Sequence, residues 1–397
     1  MPGPGACWIG EEEQRQVMEV LKSGWLFRYG DPNNPDFKQK VCTFERAFAA
    51  YCGVNHALAT SSGTSSLLVS LLAMGLKPGD EVIVPAYTFV ATYTAIIFAG
   101  LVPVLAEVDE SLTLDPEDIE HRITPRTKAI VPVHMLGNPC NMAAIMAIAQ
   151  KHGLMVLEDA CQAAGGSFHG RKLGSIGQMG AFSLNIFKTI TAGDGGVTIT
   201  DDKDLYERAF AFHDQGHSPL RTSVEVGHRN ILGLNFRVNE LVGALALAQL
   251  GKIDRITSTL RAKKRKFRAR IENIQGFRFR RIHDAEGECG TLCTVIFQSA
   301  AKAAGVAQAL GTKTVDQSGW HVYANMEHVC RHLREIGQPY GKGAYPRTDD
   351  ILSRAINISV GVVDAGLGSA FGINISSTDE EIEQAAAMFR RACEGRA

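Results

Sequence analysis

The chain has 397 residues and a formal net charge of −1, and 45% of its residues are apolar. Near-neutral charge offers no general electrostatic reason to bind nucleic acid or an anionic membrane, and no apolar run approaches the roughly 20 residues of a membrane-spanning helix. The N-terminal sequence does not resemble a signal peptide, and the nine cysteines are dispersed without a CxxC pair, which is typical of a reduced protein. We therefore expect a cytoplasmic protein without nucleic-acid or membrane partners.

Helical and extended segments alternate through the first half of the chain. Strands are predicted at 56–60, 81–84, 102–106, 130–132, 154–157 and 197–200, and helices at 11–22, 41–51, 65–74, 87–99, 141–152, 203–212 and 239–249. Such alternation is typical of an α/β fold with a mostly parallel sheet sandwiched by helices.

The pattern changes in the last third of the chain, after about residue 276. A basic helix is predicted near 255–274, followed by a strand at 292–297, a helix at 301–310 and a final helix at 377–393, where Thr378 and Glu381 form a capping box. We expect a large domain over residues 1–252 and a small α+β domain over residues 253–397.

Five chemically capable side chains stand at or just after predicted strand ends: Thr64, Phe89, His134, Asp159 and Lys188. Ligands of mostly parallel sheets bind at the carboxyl ends of the strands, so these residues are candidates for one shared site.

A small polar turn, Ser61–Thr64, joins a strand to a helix. Free N–H groups at a helix start, together with hydroxyl groups, suit a phosphate dianion. The alternative is that serine and threonine only cap the helix.

The combination of an acid and a lysine at two strand ends favours pyridoxal 5'-phosphate (PLP) as cofactor. Lys188 would supply the amine for a Schiff base, and Asp159 a carboxylate for the pyridine nitrogen. Ser62, Gly63, Thr64 and Ser183 would hold the phosphate, and Phe89 would cover the ring. Taken singly, such a lysine is usually solvated, such an acid often caps a helix and such a phenylalanine is usually core, so the argument depends on their combination.

Six stretches carry a family resemblance, and it extends over nearly the whole chain. They are SSGTSSL at 61–67, GDEVIVPAYTFVAT at 79–92, AIVPVHMLG at 129–137, LEDACQAAGG at 157–166, GAFSLNIFKTITAGDGG at 180–196 and GLNFRVNELVGALALAQLGKID at 233–254. On these, the chain resembles the DegT/DnrJ/StrS family of PLP-dependent sugar aminotransferases, which have the type I (aspartate aminotransferase) fold.

The resemblance implies a role for individual residues. Lys188 would form the Schiff base and move the proton between substrate and cofactor, Asp159 would pair with the pyridine nitrogen, and Gln162 would lie against the ring oxygen. Phe89 would stack on the ring. Asn235 would reach the phosphate from the neighbouring subunit, which implies a homodimer with shared active sites.

The same resemblance gives a reaction and its alternatives. It implies transfer of an amino group from glutamate or glutamine to a keto- or aldehyde-sugar. One alternative is a pyridoxamine-phosphate-dependent sugar dehydratase, but histidine replaces the lysine in those relatives, so Lys188 argues against it. The other alternative is a non-catalytic regulatory relative.

One departure concerns the substrate. Many family members have histidine three residues before the lysine, where this chain has Asn185. The loop GWLFRYG at 24–30, the strand end VHMLG and the segment GWHVYANMEH at 319–328 resemble the branch that aminates 3-deoxy-octulosonate, an eight-carbon sugar, at C8. Arg28, Tyr29, His134, Asn185 and His321 are therefore candidate substrate residues, although the 24–30 loop could equally be a surface loop.

Two other patterns do not define a site. His213, His217 and His228 share one loop, and His328 and His332 are four residues apart, but neither group has the companions of a defined metal motif, so no metal is expected. The basic run RAKKRKFRAR at 261–270 spreads its charge around a helix and is interpreted as a solvated face.

Overall fold

The computed structural model describes residues 2–219, 229 and 231–395. Its centre is a seven-stranded sheet. The strands are β1 (His56–Thr60), β2 (Glu81–Pro85), β3 (Val102–Ala106), β4 (Thr127–Ile130), β5 (Met155–Asp159), β8 (Met179–Ser183) and β9 (Gly196–Thr200). They lie in the order β1-β9-β8-β5-β4-β2-β3 across the sheet. Between β5 and β8 lies a short hairpin of β6 (Ser167–Phe168) and β7 (Arg171–Lys172).

The prediction of a mostly parallel sheet is confirmed. Parallel pairing links β3, β2, β4, β5 and β8, whereas β9 runs antiparallel to both of its neighbours, β8 and β1. The carboxyl ends of the parallel strands consequently meet along one edge of the sheet.

Helices cover both faces of the sheet, because its buried strands send alternate side chains to opposite sides. Ile83 and Val156 belong to one apolar cluster, whereas Val84 and Leu157, their neighbours in sequence, belong to the other. The helices of this part are α1 (Glu11–Ser23), α2 (Lys40–Cys52), α3 (Gly63–Ala73), α4 (Val90–Phe98), α5 (Pro116–Arg122), α6 (Met142–His152), α7 (Lys203–His213) and α8 (Glu240–Leu250).

The C-terminal part forms a second, three-stranded antiparallel sheet. It contains β10 (Phe277–Phe279), β11 (Leu292–Phe297) and β12 (Ala355–Ser359), with β11 in the middle. Its helices are α9 (Ile253–Ile271), α10 (Ala300–Ala309), α11 (Glu327–Glu335), α12 (Pro346–Ser353) and α13 (Asp379–Glu394). The predicted capping box of Thr378 and Glu381 begins α13.

The basic run lies on α9, where several of its charges are paired. Lys266 binds Asp379, Arg270 binds Glu383, and the buried Lys264 binds Glu288. The run therefore joins α9 to α13 and to the loop before β11, in addition to meeting solvent.

The sequence did not predict α5, which Asp115 caps and Pro116 begins. No helix in the described ranges is long and apolar enough to span a bilayer.

The loop before α2 is fixed by a buried ion pair. Arg28 Nη2 donates to both carboxylate oxygens of Glu45 at 3.0 and 3.1 Å, and Ala59 N on β1 donates to Glu45 Oε1 at 2.8 Å. Both charged side chains are buried, so each depends on the other for its charge compensation.

We expect Glu45→Ala to lower the free energy of unfolding by about 3–5 kcal/mol, because it leaves Arg28 charged and buried without its partner. Denaturant unfolding measures this change. The control is Glu207→Ala, which breaks the exposed Lys203–Glu207 pair and should cost less than about 1 kcal/mol. Equal losses in the two variants would contradict the structural role of the buried pair.

Candidate active site

A cavity of about 540 Å³ lies at the carboxyl ends of the parallel strands. Most of the predicted site residues line it, namely Ser62, Gly63, Thr64, Phe89, Asp159, Gln162, Ser183, Asn185, Lys188 and His321. The fold thus brings together side chains that are up to 259 positions apart in the sequence, from Ser62 to His321.

The start of α3 forms one end of the cavity. Ser62 is the N-cap residue, and its hydroxyl accepts from Ser65 N at 3.0 Å, so it fulfils the capping alternative. Gly63 and Thr64 lie in the first turn, where N–H groups have no intrahelical acceptor. A Cβ on Gly63 would come within 2.7 Å of Ser183 Cβ, so glycine keeps this end open. Such a cradle fits a phosphate.

Asp159 ends β5 and is held rigidly. Its Oδ2 accepts from Thr92 Oγ1 at 2.8 Å and its Oδ1 accepts from Cys161 N at 3.1 Å. Its backbone pairs with the extension of β4, since Asp159 N donates to Pro132 O and His134 N donates to Asp159 O. The carboxylate therefore has a fixed place in the cavity from which it can accept a charged donor.

Lys188 follows β8 after a short turn and is half-buried. Burial lowers the pKa of Lys188 and outweighs the opposing pull of negative groups that include Asp159 and Asp364. A lowered pKa leaves more of the amine unprotonated, which a nucleophile or proton carrier requires.

Phe89 is the N-cap residue of α4 and keeps 40% of its surface exposed. The C-terminal part fixes the chain on both sides of it, because Thr88 N donates to His321 O and Val90 N donates to Trp320 O. The rings of Phe89 and His321 lie 5.3 Å apart. The cavity is thus built from residues on both sides of the predicted boundary after residue 252.

Gln162 and Asn185 also have fixed places in the cavity wall. Gln162 Oε1 accepts from Leu136 N at 2.9 Å. Asn185 Nδ2 donates to Asp194 Oδ1 at 3.0 Å, and Asp194 itself lines the cavity.

The structure does not bring four of the predicted residues to the cavity within one chain. Arg28 is held by Glu45, and Tyr29 donates to Asp214 at 2.6 Å, so the 24–30 loop folds against its own chain. His134 is fully buried, and Asn235 is exposed away from the cavity.

His134 binds the buried Glu158 instead of facing the cavity. Its Nδ1 accepts from Cys140 N at 3.1 Å, so its ring proton lies on Nε2, which donates to Glu158 Oε2 at 2.9 Å. Because the backbone of His134 pairs with Asp159, this bond supports the strand end that carries the carboxylate.

The sequence did not identify several residues that shape the site. Thr92, Cys161, Asp194, Trp320 and Asp364 all line the cavity. Thr92 and Cys161 lie within the stretches that carry the family resemblance, which could have identified them as site residues. Asp364 gave no local signal, since it stands in a loop 176 positions after Lys188.

No cluster of three or more metal-ligating side chains occurs in the part of the chain that the structure describes. His213 is buried against Arg28, His217 bonds Arg229, and His228 lies outside the described residues.

Comparison with protein families gives a match over residues 8–363 to the DegT/DnrJ/EryC1/StrS aminotransferase family. A GDP-perosamine synthase of Caulobacter vibrioides is 40% identical over 243 residues, which are 61% of this chain and 62% of that protein. The spore coat polysaccharide biosynthesis protein SpsC of Bacillus subtilis is 38% identical over 283 residues, 70% of each chain.

The fold also matches solved structures. A crystal structure of 3-amino-5-hydroxybenzoic acid synthase superposes with a TM-score of 0.81 at 26% identity, and the alignment covers 98% of this chain and 97% of the other.

The charge of Asp364 raises the pKa of Lys188 against the lowering effect of burial. We therefore expect Asp364→Asn to move the pH midpoint of Lys188 acylation in the cofactor-free protein to lower pH. Competitive labelling with acetic anhydride, followed by peptide mass spectrometry, measures this midpoint. Asp379→Asn is the control, because Asp379 pairs with Lys266 on the surface and should leave the midpoint unchanged. An unchanged midpoint in Asp364→Asn would contradict the placement of this carboxylate near Lys188.

Proposed function

The chain belongs to the DegT/DnrJ/EryC1/StrS aminotransferase family, and on that premise we propose that it transfers an amino group from an amino acid to a carbonyl carbon of a sugar. Pyridoxal phosphate is the cofactor. When bound, it withdraws electrons from the substrate carbon and so makes the proton on that carbon removable.

The observation that carries the proposal is the cavity, which brings together an amine, a fixed carboxylate and a helix start. The start of α3 and Ser183 would hold the phosphate, and Asp159 would bind the protonated pyridine nitrogen. Phe89 would cover the ring, and Gln162 would approach its oxygen. These residues match the cofactor in charge and in hydrogen-bonding character.

Lys188 is the catalytic residue of the proposed reaction. Its Nζ would hold the cofactor in the resting protein and, once free, would move a proton between the substrate carbon and the cofactor. Its lowered pKa supports this role, since a general base works best when its pKa lies near the working pH.

The proposed amino donor is glutamate or glutamine, and the proposed acceptor is a keto- or aldehyde-sugar. The name GDP-perosamine synthase of one relative favours a nucleotide-linked sugar. An eight-carbon sugar that accepts the amine at C8 is the second candidate. It is favoured by the resemblance of the segments at 24–30 and 319–328 to the branch of the family that aminates such a sugar. Asn185 and His321, both in the cavity wall, are the proposed substrate contacts within one chain.

Two other functions agree less well with the site. A pyridoxamine-dependent sugar dehydratase would have histidine in place of Lys188. A non-catalytic regulator would not need the open phosphate cradle and the buried Asp159–Thr92 pair. We therefore favour amino transfer as the reaction. We propose the cytoplasm as the place where the protein works.

We expect Lys188→Ala to bind the cofactor without a covalent bond and to lose at least about 10³-fold in turnover, because no other amine in the described cavity wall can replace it. Glutamate should remove the visible colour of the wild type and leave that of the variant. Stopped-flow absorbance measures both. Lys172→Ala, outside the cavity, is the control. A fully active Lys188→Ala would refute the assignment.

We further propose a homodimer in which Asn235 completes the partner's active site. Asn235 is exposed and lies outside the cavity of its own chain. Leu234 beside it is 62% exposed, and Phe27, over which Arg237 stacks, is 51% exposed. Exposed apolar side chains of this size suit a protein interface, and a two-fold axis would give each site one copy of Asn235.

A mixed dimer of one Lys188→Ala chain and one Asn235→Ala chain tests the sharing of sites. If Asn235 acts across the interface, one of the two sites has both native residues, and the purified mixed dimer should have about half the wild-type activity. Two different affinity tags allow its isolation, and each variant homodimer is a control. Activity no higher than the mean of the two homodimers would contradict shared sites.

A further inference from the structure

One wall of the cavity comes from two C-terminal segments that hydrogen bonds join into a unit. Ser318 Oγ lies 2.5 Å from Gly366 O and 2.9 Å from His321 Nδ1. Asp364 Oδ1 in turn accepts from Gly366 N at 2.7 Å. His321, Asp364 and Gly366 line the cavity.

Proton counting fixes the tautomer of His321. A serine hydroxyl has one proton, and a carbonyl oxygen can only accept, so the Ser318 proton goes to Gly366 O. Ser318 Oγ must then accept from His321, which places the ring proton on Nδ1. The other ring nitrogen, Nε2, keeps a lone pair and has no hydrogen-bond partner among the described residues.

His321 remains neutral in the working range of pH. Only 6% of the surface of His321 is exposed. Burial, together with the charge of Lys188, lowers the pKa of His321 to about 3. In the cavity wall, Nε2 can therefore accept a hydrogen bond but cannot donate one.

Asp364 adds a second acceptor to the same wall. Its Oδ1 is used by Gly366 N, while Oδ2 has no hydrogen-bond partner within the described ranges. Both acceptors line the same cavity as Lys188, and the charge of Asp364 raises the pKa of that lysine against the effect of burial.

A wall that only accepts hydrogen bonds selects its ligand by chemistry. Carboxylates and fully ionised phosphate groups carry no proton to donate, and the charge of Asp364 repels both. A hydroxyl group donates and suits both positions. We propose that His321 Nε2 and Asp364 form a hydroxyl-recognition site for the acceptor sugar, which binds hydroxyl groups next to the reacting carbonyl and excludes anionic groups from this wall.

This inference rests on the proposed function. Measuring the two half-reactions of amino transfer separately distinguishes a failure of the inference from a failure of the proposed function. Glutamate removes the colour of the cofactor-loaded protein in the first half-reaction, and the sugar restores it in the second. The probes are GDP-4-keto-6-deoxy-D-mannose and its 3-deoxy analogue, which lacks the hydroxyl next to the carbonyl.

We expect His321→Phe to slow the sugar half-reaction by about 10- to 100-fold, because a buried hydroxyl loses its acceptor. The glutamate half-reaction should change by less than about 3-fold. His321→Gln, whose amide oxygen can reach the position of Nε2, should recover most of the loss. The wild type should prefer the hydroxylated sugar, and His321→Phe should lose that preference.

Two further variants test the rest of the wall. Ser318→Ala removes the hydroxyl that accepts the hydrogen bond from His321 Nδ1. It should slow only the sugar half-reaction, by a smaller factor than His321→Phe does. Asp364→Asn keeps an oxygen for Gly366 N but removes the charge, and should weaken the exclusion of anionic inhibitors such as sulfate from the site.

Binding without turnover gives an independent measurement. The cofactor-loaded Lys188→Ala variant, titrated calorimetrically with both sugars, should bind the hydroxylated sugar more tightly. Equal affinity, no binding of either sugar, or equal slowing of both half-reactions in His321→Phe would overturn the hydroxyl-recognition site. A wild type that keeps its colour with glutamate would instead refute the proposed function.

Discussion

The parallel pairing of β5 with β8 is the constraint on which the site depends. Its register sets Asp159 opposite Ala181, so the carboxylate and the turn that leads to Lys188 leave the sheet at the same edge. The local sequence places each group at a strand end, but only the pairing of the strands brings the two ends together. A shift of one residue in either strand would turn its side chains to the opposite face and separate the two groups.

The strand ends hold their side chains because each is supported from a different element. Thr92 on α4 and the backbone of the β4 extension fix Asp159, and the buried His134–Glu158 bond lies behind that extension. Two C-terminal backbone bonds fix the chain around Phe89. The cavity is therefore preorganised by contacts made before any ligand binds, which lowers the entropic cost of orienting a substrate.

Much of the fold could be predicted from the sequence because the strands are short, apolar and separated by clear helix signals. β1, β3 and β11 have the bounds that the sequence predicted. The same regularity predicted the residues at strand ends, and most of them line the cavity. Asp159 and Lys188 were the strongest case, because strand-end position and chemical type both singled them out.

The rest depends on contacts between distant segments, which a local pattern does not contain. Arg28 and Tyr29 stand in an aromatic loop that could face a site, but Glu45 and Asp214 hold them in the chain's own interior. His134 follows a strand end, but its ring is hydrogen-bonded to the buried Glu158 and does not face the cavity. Asp364 reaches the cavity only through the folding of the C-terminal part, so no spacing in the sequence identifies it.

Nitrogen transfer measured in one reaction mixture is the most direct test of the account. The cofactor-loaded protein is incubated with ¹⁵N-glutamate and a panel of keto- and aldehyde-sugars, and mass spectrometry follows the products. We predict one 2-oxoglutarate released for each sugar that gains a ¹⁵N amine. Loss of a sugar hydroxyl without nitrogen incorporation, or 2-oxoglutarate release without any aminated sugar, would contradict amino transfer to a sugar as the function of this site.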